Sequence, residues 1–137
     1  MVRRVFLSFV EEDLGIVNLF RGQAKNPNNP LEFYDYSVKE PFDSNRSEYV
    51  KQQIKGLINN SSVLLCLIGS TTSTSRWVDW EIKTAYELKK GVAGVKLHSS
   101  SSDVIPQGLS SHSTEVVNWG TQQIMDAIER AAKKAGF

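Results

Sequence analysis

An α/β fold with one five-stranded parallel sheet of order 2-1-3-4-5, and helices on both of its faces, is what this sequence predicts. Three observations carry the expectation. The run at 62–68 is continuously apolar and the run at 5–10 nearly so, the pattern of parallel strands covered on both sides. Strand-like runs alternate with helix-period stretches along the whole chain, which demands parallel, right-handed crossovers. The length of 137 residues suits a single core, so residues 1–137 are expected to form one domain.

The first strand, 5–10, ends in Glu11, Glu12 and Asp13, acids that suit a helix N-terminus. Leu14, Val17 and Phe20, with Leu19 beside them, give the first helix its apolar stripe. A turn-rich break at 25–30 leads to a second strand at 31–36. The polar stretch 37–47 contains Pro41, Asp43, Ser44 and Asn45 and reads as a loop, with Asn45 or Ser47 capping a helix over 48–58. Val50, Ile54, Leu57 and Ile58 keep helical spacing there, and Asn59 and Asn60 close the helix. The run at 62–68 is the central strand. After the hydroxyl-rich loop at 69–75, a helix over 77–90 should bury Val78, Ile82, Ala85 and Tyr86 and stop at Gly91. A fourth strand follows at 92–97 and a short fifth at 114–118. The low-complexity stretch 98–103 between them reads as a polar surface loop without chemistry. A last helix opens at Gly120 or Thr121, with Ile124, Ala127, Ile128 and Ala131 on one face.

Sixteen Lys and Arg against 15 Asp and Glu create no global field toward nucleic acid or an anionic membrane, and neither is expected as a partner. Cys66 is the single cysteine and lies inside the central apolar run. It cannot form an intrachain disulfide, reads as a packing residue and fits a reducing cytosol. The first apolar stretch is too short for a signal peptide, and no run approaches the ~20 residues of a membrane span. The expected location is therefore the cytoplasm. His98 and His112 lie in polar segments without ligand spacing, so neither receives a role and no metal site is expected.

In sheets of this order, ligands sit at the carboxyl edge between the ends of strands one and three, where the strand order reverses. That rule points to residues 8–13 and 69–81. The flavodoxin-like arrangement hosts many functions, so the site has to separate them. A phosphoacceptor receiver needs an Asp at the end of strand three, where Ile68, Gly69 and Ser70 stand instead. A flavodoxin needs a phosphate-cradling loop after strand one, where Glu11, Glu12 and Asp13 would repel phosphate.

Two segments match a third possibility. Val5-Phe6-Leu7-Ser8-Phe9 followed by Glu12-Asp13 resembles the first box of Toll/interleukin-1 receptor-like (TIR) domains. Trp77-Val78-Asp79-Trp80-Glu81-Ile82 resembles the Trp-x-x-x-Glu segment that starts the third TIR helix. With Phe33-Tyr34-Asp35-Tyr36-Ser37, the chain from Arg4 to Leu97 resembles most the bacterial TIR-like branch that includes the sensor enzymes of Thoeris phage-defence systems. The loop at 37–47 lacks the Arg-Asp and Pro-Gly pattern of animal receptor TIR domains, so the resemblance does not extend to receptor-adaptor signalling. It implies a three-layer TIR-like fold and NAD as substrate rather than cofactor, with cleavage of the nicotinamide–ribose bond. It further implies self-association and a separate effector protein that senses an ADP-ribose-derived product. Glu81 falls at the position of the family's catalytic glutamate.

One carboxylate can suffice for that chemistry, because nicotinamide leaves as a neutral pyridine and needs no general acid, unlike ordinary glycoside hydrolysis. An ionised Glu81 would hold the ribose hydroxyls and stabilise the oxocarbenium-like charge. The role asks for no rise above glutamate's usual pKa of about 4.3. Spacing alone favours a plainer reading, a second-turn glutamate placed by the helix dipole. Trp77, on the same helix face, could wall the ribose site or simply pack at the helix start. Phe9 could stack on a nicotinamide or adenine ring, or be a core aromatic. Ser8 and Asp35 could meet the dinucleotide or cap turns. Arg46 could offset pyrophosphate charge or be a solvated loop arginine. Ser75 could cap the third helix, or the hydroxyl loop could face an anion. The rival to an enzyme is a non-catalytic module that docks partners through the loop at 37–47.

Overall fold

Six consecutive buried residues, Val63–Ile68, leave the central strand no face for water, so helices have to cover both of its sides. They do so in the computed structural model, which describes residues 3–25, 33–35 and 47–137. Along the chain run β1 (Arg3–Ser8), a 3-10 turn (Glu11–Asp13), α1 (Leu14–Lys25), β2 (Phe33–Asp35), α2 (Ser47–Asn59) and β3 (Val63–Ile68). A second 3-10 turn (Thr72–Thr74), α3 (Arg76–Glu87), β4 (Gly91–Lys96), α4 (Gln107–Ser110), β5 (Val116–Asn118) and α5 (Thr121–Lys134) follow. Most of the break at 25–30, both ends of the expected second strand and nearly all of the loop at 37–47 lie outside the described residues.

The strands pair in parallel in the order β2-β1-β3-β4-β5. Cys66 of β3 lies between Ser8 of β1 and Gly94 of β4. Because side chains alternate along a strand, the apolar residues divide into two layers. Val5, Leu7, Leu65, Leu67, Ala93 and Val95 pack with Val17 and Phe20 of α1 and with Ile124, Ala127 and Ile128 of α5. Phe6, Leu64, Cys66 and Ile68 pack with Ile54 and Ile58 of α2 and with Val78, Ile82 and Ala85 of α3. The result is a three-layer α/β fold of the flavodoxin-like type. No helix among the described residues is long and apolar enough to cross a membrane.

Several boundaries shift by a few residues, β1 ending at Ser8 rather than at 10 and β5 opening at Val116 rather than at 114, and two differences have a packing reason. The third helix does not run to Lys90 and stop at Gly91; its cap is Leu88, and Lys89 adopts φ 59°. The N–H of Lys90 donates to the Ala85 carbonyl at 2.9 Å and closes the helix early. Gly91 instead opens β4, for a packing reason: a Cβ there would lie 2.5 Å from the Ala131 carbonyl oxygen of α5. The second difference is the short helix α4, which interrupts the polar connection after β4 and buries Leu109.

Backbone against backbone cannot relax as a side chain can, so Gly91→Ala should lower stability by about 1–3 kcal/mol. Denaturant titration should show an earlier midpoint with an unchanged slope, and an unchanged midpoint would contradict the close approach of α5 to β4.

Candidate active site

Ser8 is the last residue of β1 and shares its parity with Phe6, so its side chain enters the α2–α3 layer. Across that layer α3 starts at a defined point. The Ser75 hydroxyl caps it by accepting the Val78 N–H at 3.2 Å. Val78, Ile82 and Ala85 seat the helix on the sheet and carry Glu81 inward with them. The Ser8 hydroxyl donates to Glu81 Oε1 at 2.7 Å. Ser8 is fully buried and Glu81 is 7% exposed. This contact between two sequence-selected residues lies at the carboxyl end of β1.

Burial pushes the Glu81 carboxyl up to about 8, and the Ser8 hydrogen bond pulls the other way without offsetting it. The role drawn from the resemblance asked for no rise in this pKa, and burial imposes one. Removing the side chain from water penalises its charged form, and at neutral pH it is mainly the uncharged acid. Cys66 neighbours Ser8 in register. Burial pushes its thiol up strongly and Glu81 adds to the shift, so it is packed and inert.

The other selected residues fall apart spatially. Trp77, one turn before Glu81, is half-buried in the same layer and stands edge to face with Trp80, centroids 5.9 Å apart at 88°. Lys51 Nζ lies 6.0 and 5.6 Å from the two ring centroids. Phe9 belongs to the opposite layer, 8% exposed among core residues and with the Arg21 guanidinium 5.3 Å above its ring. Of the two readings of Phe9, burial favours the core aromatic: the residue just after β1 continues the alternation and falls on the face opposite Ser8. Asp35 ends β2 opposite Val5. Arg46 lies outside the described residues. Two threonine hydroxyls of the loop after β3 are engaged, Thr72 Oγ1 accepting the Gly69 N–H at 2.8 Å within the loop and Thr71 donating to the Glu12 carboxylate across the sheet edge.

Two groups at this edge were missed. Asp13, given no role of its own among the helix-start acids although it lies within the indicated stretch 8–13, turns inward to 7% exposure and presses its carboxyl against Gly69. Burial raises its pKa, with Glu12 and Asp103 adding and His98 opposing. The bare glycine after β3 was the available sign that something packs there. The polar loop after β4 is also not without structure. Asp103, 1% exposed, accepts the His98 N–H at 2.7 Å and faces His98 Nδ1 at 2.8 Å. His98 therefore has a partner, and the hydrogen bond to Asp103 raises its pKa. His112 stacks on Tyr86 at 3.9 Å. Among the described residues, no group of three or more His, Cys, Asp or Glu could hold a metal ion.

The chain is similar to known proteins. The family described as "Thoeris protein ThsB, TIR-like domain" matches residues 6–102. A protein of Bacillus cereus (strain MSX-D12) named "Putative cyclic ADP-D-ribose synthase ThsB1" is 32% identical over 103 residues, covering 72% of this chain and 54% of its own length. The chain thus spans about half the length of the curated relative it matches.

Two consequences are measurable. Glu81 has a folded pKa above its unfolded 4.5, so its contribution to stability is fully present below pH 4.5 and is lost as pH rises through about 8. Glu81→Gln keeps an acceptor for Ser8 and cannot ionise. It should match the parent near pH 4 and become the more stable protein above that, by up to roughly 3 kcal/mol at pH 7; a constant difference across pH 4–8 would refute the raised pKa. Phe9→Ala should cost about 3–5 kcal/mol by thermal or denaturant unfolding, as truncation of a core Phe does. A loss under ~0.5 kcal/mol would return Phe9 to the surface of a binding site.

Proposed function

Because the chain belongs to the Thoeris ThsB family of TIR-like domains, we propose that it consumes NAD, cleaving the nicotinamide–ribose bond and releasing an ADP-ribose-derived nucleotide, linear or cyclic, as a signal in anti-phage defence. One observation carries the reading: Ser8 holds a buried carboxyl, that of Glu81, at the carboxyl end of β1, where a sheet of this kind takes ligands.

The ionised form of Glu81 does the work. The pyridinium of NAD beside it favours the carboxylate, so substrate binding draws the proton off Glu81 to solvent. As the glycosidic bond stretches, positive charge moves from the ring to the ribose, and nicotinamide departs neutral. A fixed negative group in a poorly hydrated site stabilises that moving charge without having to reorient. Ser8 fixes the carboxylate's orientation through the hydroxyl it donates. Trp77 walls the ribose side one helical turn away, Asp35 at the end of β2 meets the dinucleotide's hydroxyls, and Arg46 offsets pyrophosphate charge. The domain acts in the cytoplasm and self-associates, and a separate effector protein reads its product.

Nicotinamide release from NAD, followed at high protein concentration so that assembly is satisfied, tests the reading. Glu81→Gln should lower turnover about a hundredfold or more, with a much smaller change in NAD binding. For the parent, kcat/KM should climb about tenfold per pH unit and level off above pH about 8, because the free enzyme must lose the Glu81 proton. Equal rates for the two proteins would remove Glu81 from catalysis. No release from either would favour a non-catalytic interaction module.

A further inference from the structure

A second carboxyl at the same edge is buried without a partner. Asp13 Oδ2 is shielded from solvent and, among the described residues, accepts no hydrogen bond. Buried acceptors in native folds are nearly always satisfied, and an orphan needs an explanation. Helix capping does not supply one: α1 begins at the next residue, yet Oδ2 takes none of its N–H groups. Nor does an ion pair: among the described residues, Glu12 and Asp103 present like charge to the carboxyl and His98 opposes them.

Its place is specific. A Cβ on Gly69 would lie 2.2 Å from Asp13 Oδ2, so the glycine leaves room for a carboxyl in the crevice between the ends of β1 and β3. That crevice is the switch point of the sheet. Gly69 follows Cys66 by three residues, and Cys66 pairs with Ser8, the partner of Glu81. Three extended residues cover about 10 Å along the strand direction, so Gly69 and the Asp13 carboxyl lie farther out along the open edge of the sheet than Cys66 and Ser8.

We propose that Asp13 accepts the carboxamide N–H of the substrate's nicotinamide and so selects nicotinamide over nicotinic acid. The inference rests on the NAD reading above and adds a specificity residue to it. A carboxamide offers the donor that Oδ2 lacks; a nicotinate carboxylate offers none and meets Asp13, Glu12 and Asp103 with like charge. Discrimination built on a buried acceptor is strong because the wrong ligand leaves that acceptor unpaired. Binding moves the Gly69 loop aside, a loop that Thr71 ties to Glu12. The contact exists before and after the bond stretches, so it acts on binding more than on turnover.

Ligand-observed NMR titration of nicotinamide and of nicotinic acid at neutral pH, against the parent protein, Asp13→Asn and Asp13→Ala, tests this without requiring turnover. Thermal unfolding confirms that each variant is folded. The parent should bind nicotinamide at least tenfold more tightly than nicotinic acid. Asp13→Asn, whose amide both donates and accepts, should bring that ratio close to one, and Asp13→Ala should weaken nicotinamide binding. With NAD, Asp13→Asn should raise KM several-fold and leave kcat within about twofold. Equal affinity of the parent for the two fragments, binding of neither, or selectivity unchanged in both variants overturns the proposal. Intact, Asp13-dependent selectivity without nicotinamide release from NAD would uphold Asp13 and count against the NAD-cleavage reading.

Discussion

The two-sided burial of β3 is the constraint on which the remaining structure depends. A strand with six buried residues has to lie inside its sheet, flanked by β1 and β4, and has to be roofed above and below. The period-two alternation of strands then propagates the division outward. Along β1 and the residue after it, Phe6 and Ser8 go toward α2 and α3, and Leu7 and Phe9 toward α1 and α5. A hydroxyl at position 8 therefore ends up facing α3, and Glu81 on that helix finds it at 2.7 Å.

The carboxyl edge is built against its own electrostatic preference. Helix N-termini gather there and favour negative charge, but burial raises the pKa of both Glu81 and Asp13. The stability lost in keeping such groups out of water is of the kind found where function, rather than packing, selects the residue. The two sites hold their acids differently. Glu81 has one hydroxyl donor, enough to orient it and too little to keep it ionised. Asp13 has none at Oδ2 among the described residues. Around them the polar groups satisfy one another, as Thr72 with Gly69 and His98 with Asp103 do, so the unmet demand is confined to the crevice.

The Thoeris ThsB kinship gives these observations a direction but not a chemistry. The matched segment, residues 6–102, runs from β1 through the loop after β4. It contains Ser8, Asp13, Gly69 and Glu81, so the crevice lies within the shared region. The relative extends well beyond it, since about half of its length has a counterpart here. Product choice and assembly can depend on such additional chain, because a site at a sheet edge is completed by whatever covers that edge.

The α/β class, the apolar central strand, the cap at Ser75 and the buried stripe of α3 were legible in residue order, because each follows from local chemistry: hydrophobic period, capping hydroxyls and turn residues. Glu81 was singled out through resemblance to a Trp-x-x-x-Glu segment rather than through spacing. Packing alone decided the rest. Phe9 and Ser8 are neighbours in sequence and opposites in the fold, so no local pattern could say which would meet Glu81. Gly91 looks like a helix stop until α5 is seen pressing its backbone against it. Asp13 is one of three consecutive acids, and only the approach of the bare Gly69, 56 positions along the numbering, distinguishes it from the exposed Glu11 and Glu12. The pKa of Glu81 likewise came from burial. Desolvation depends on which atoms surround a group in three dimensions, and residue order specifies those surroundings only through the completed fold.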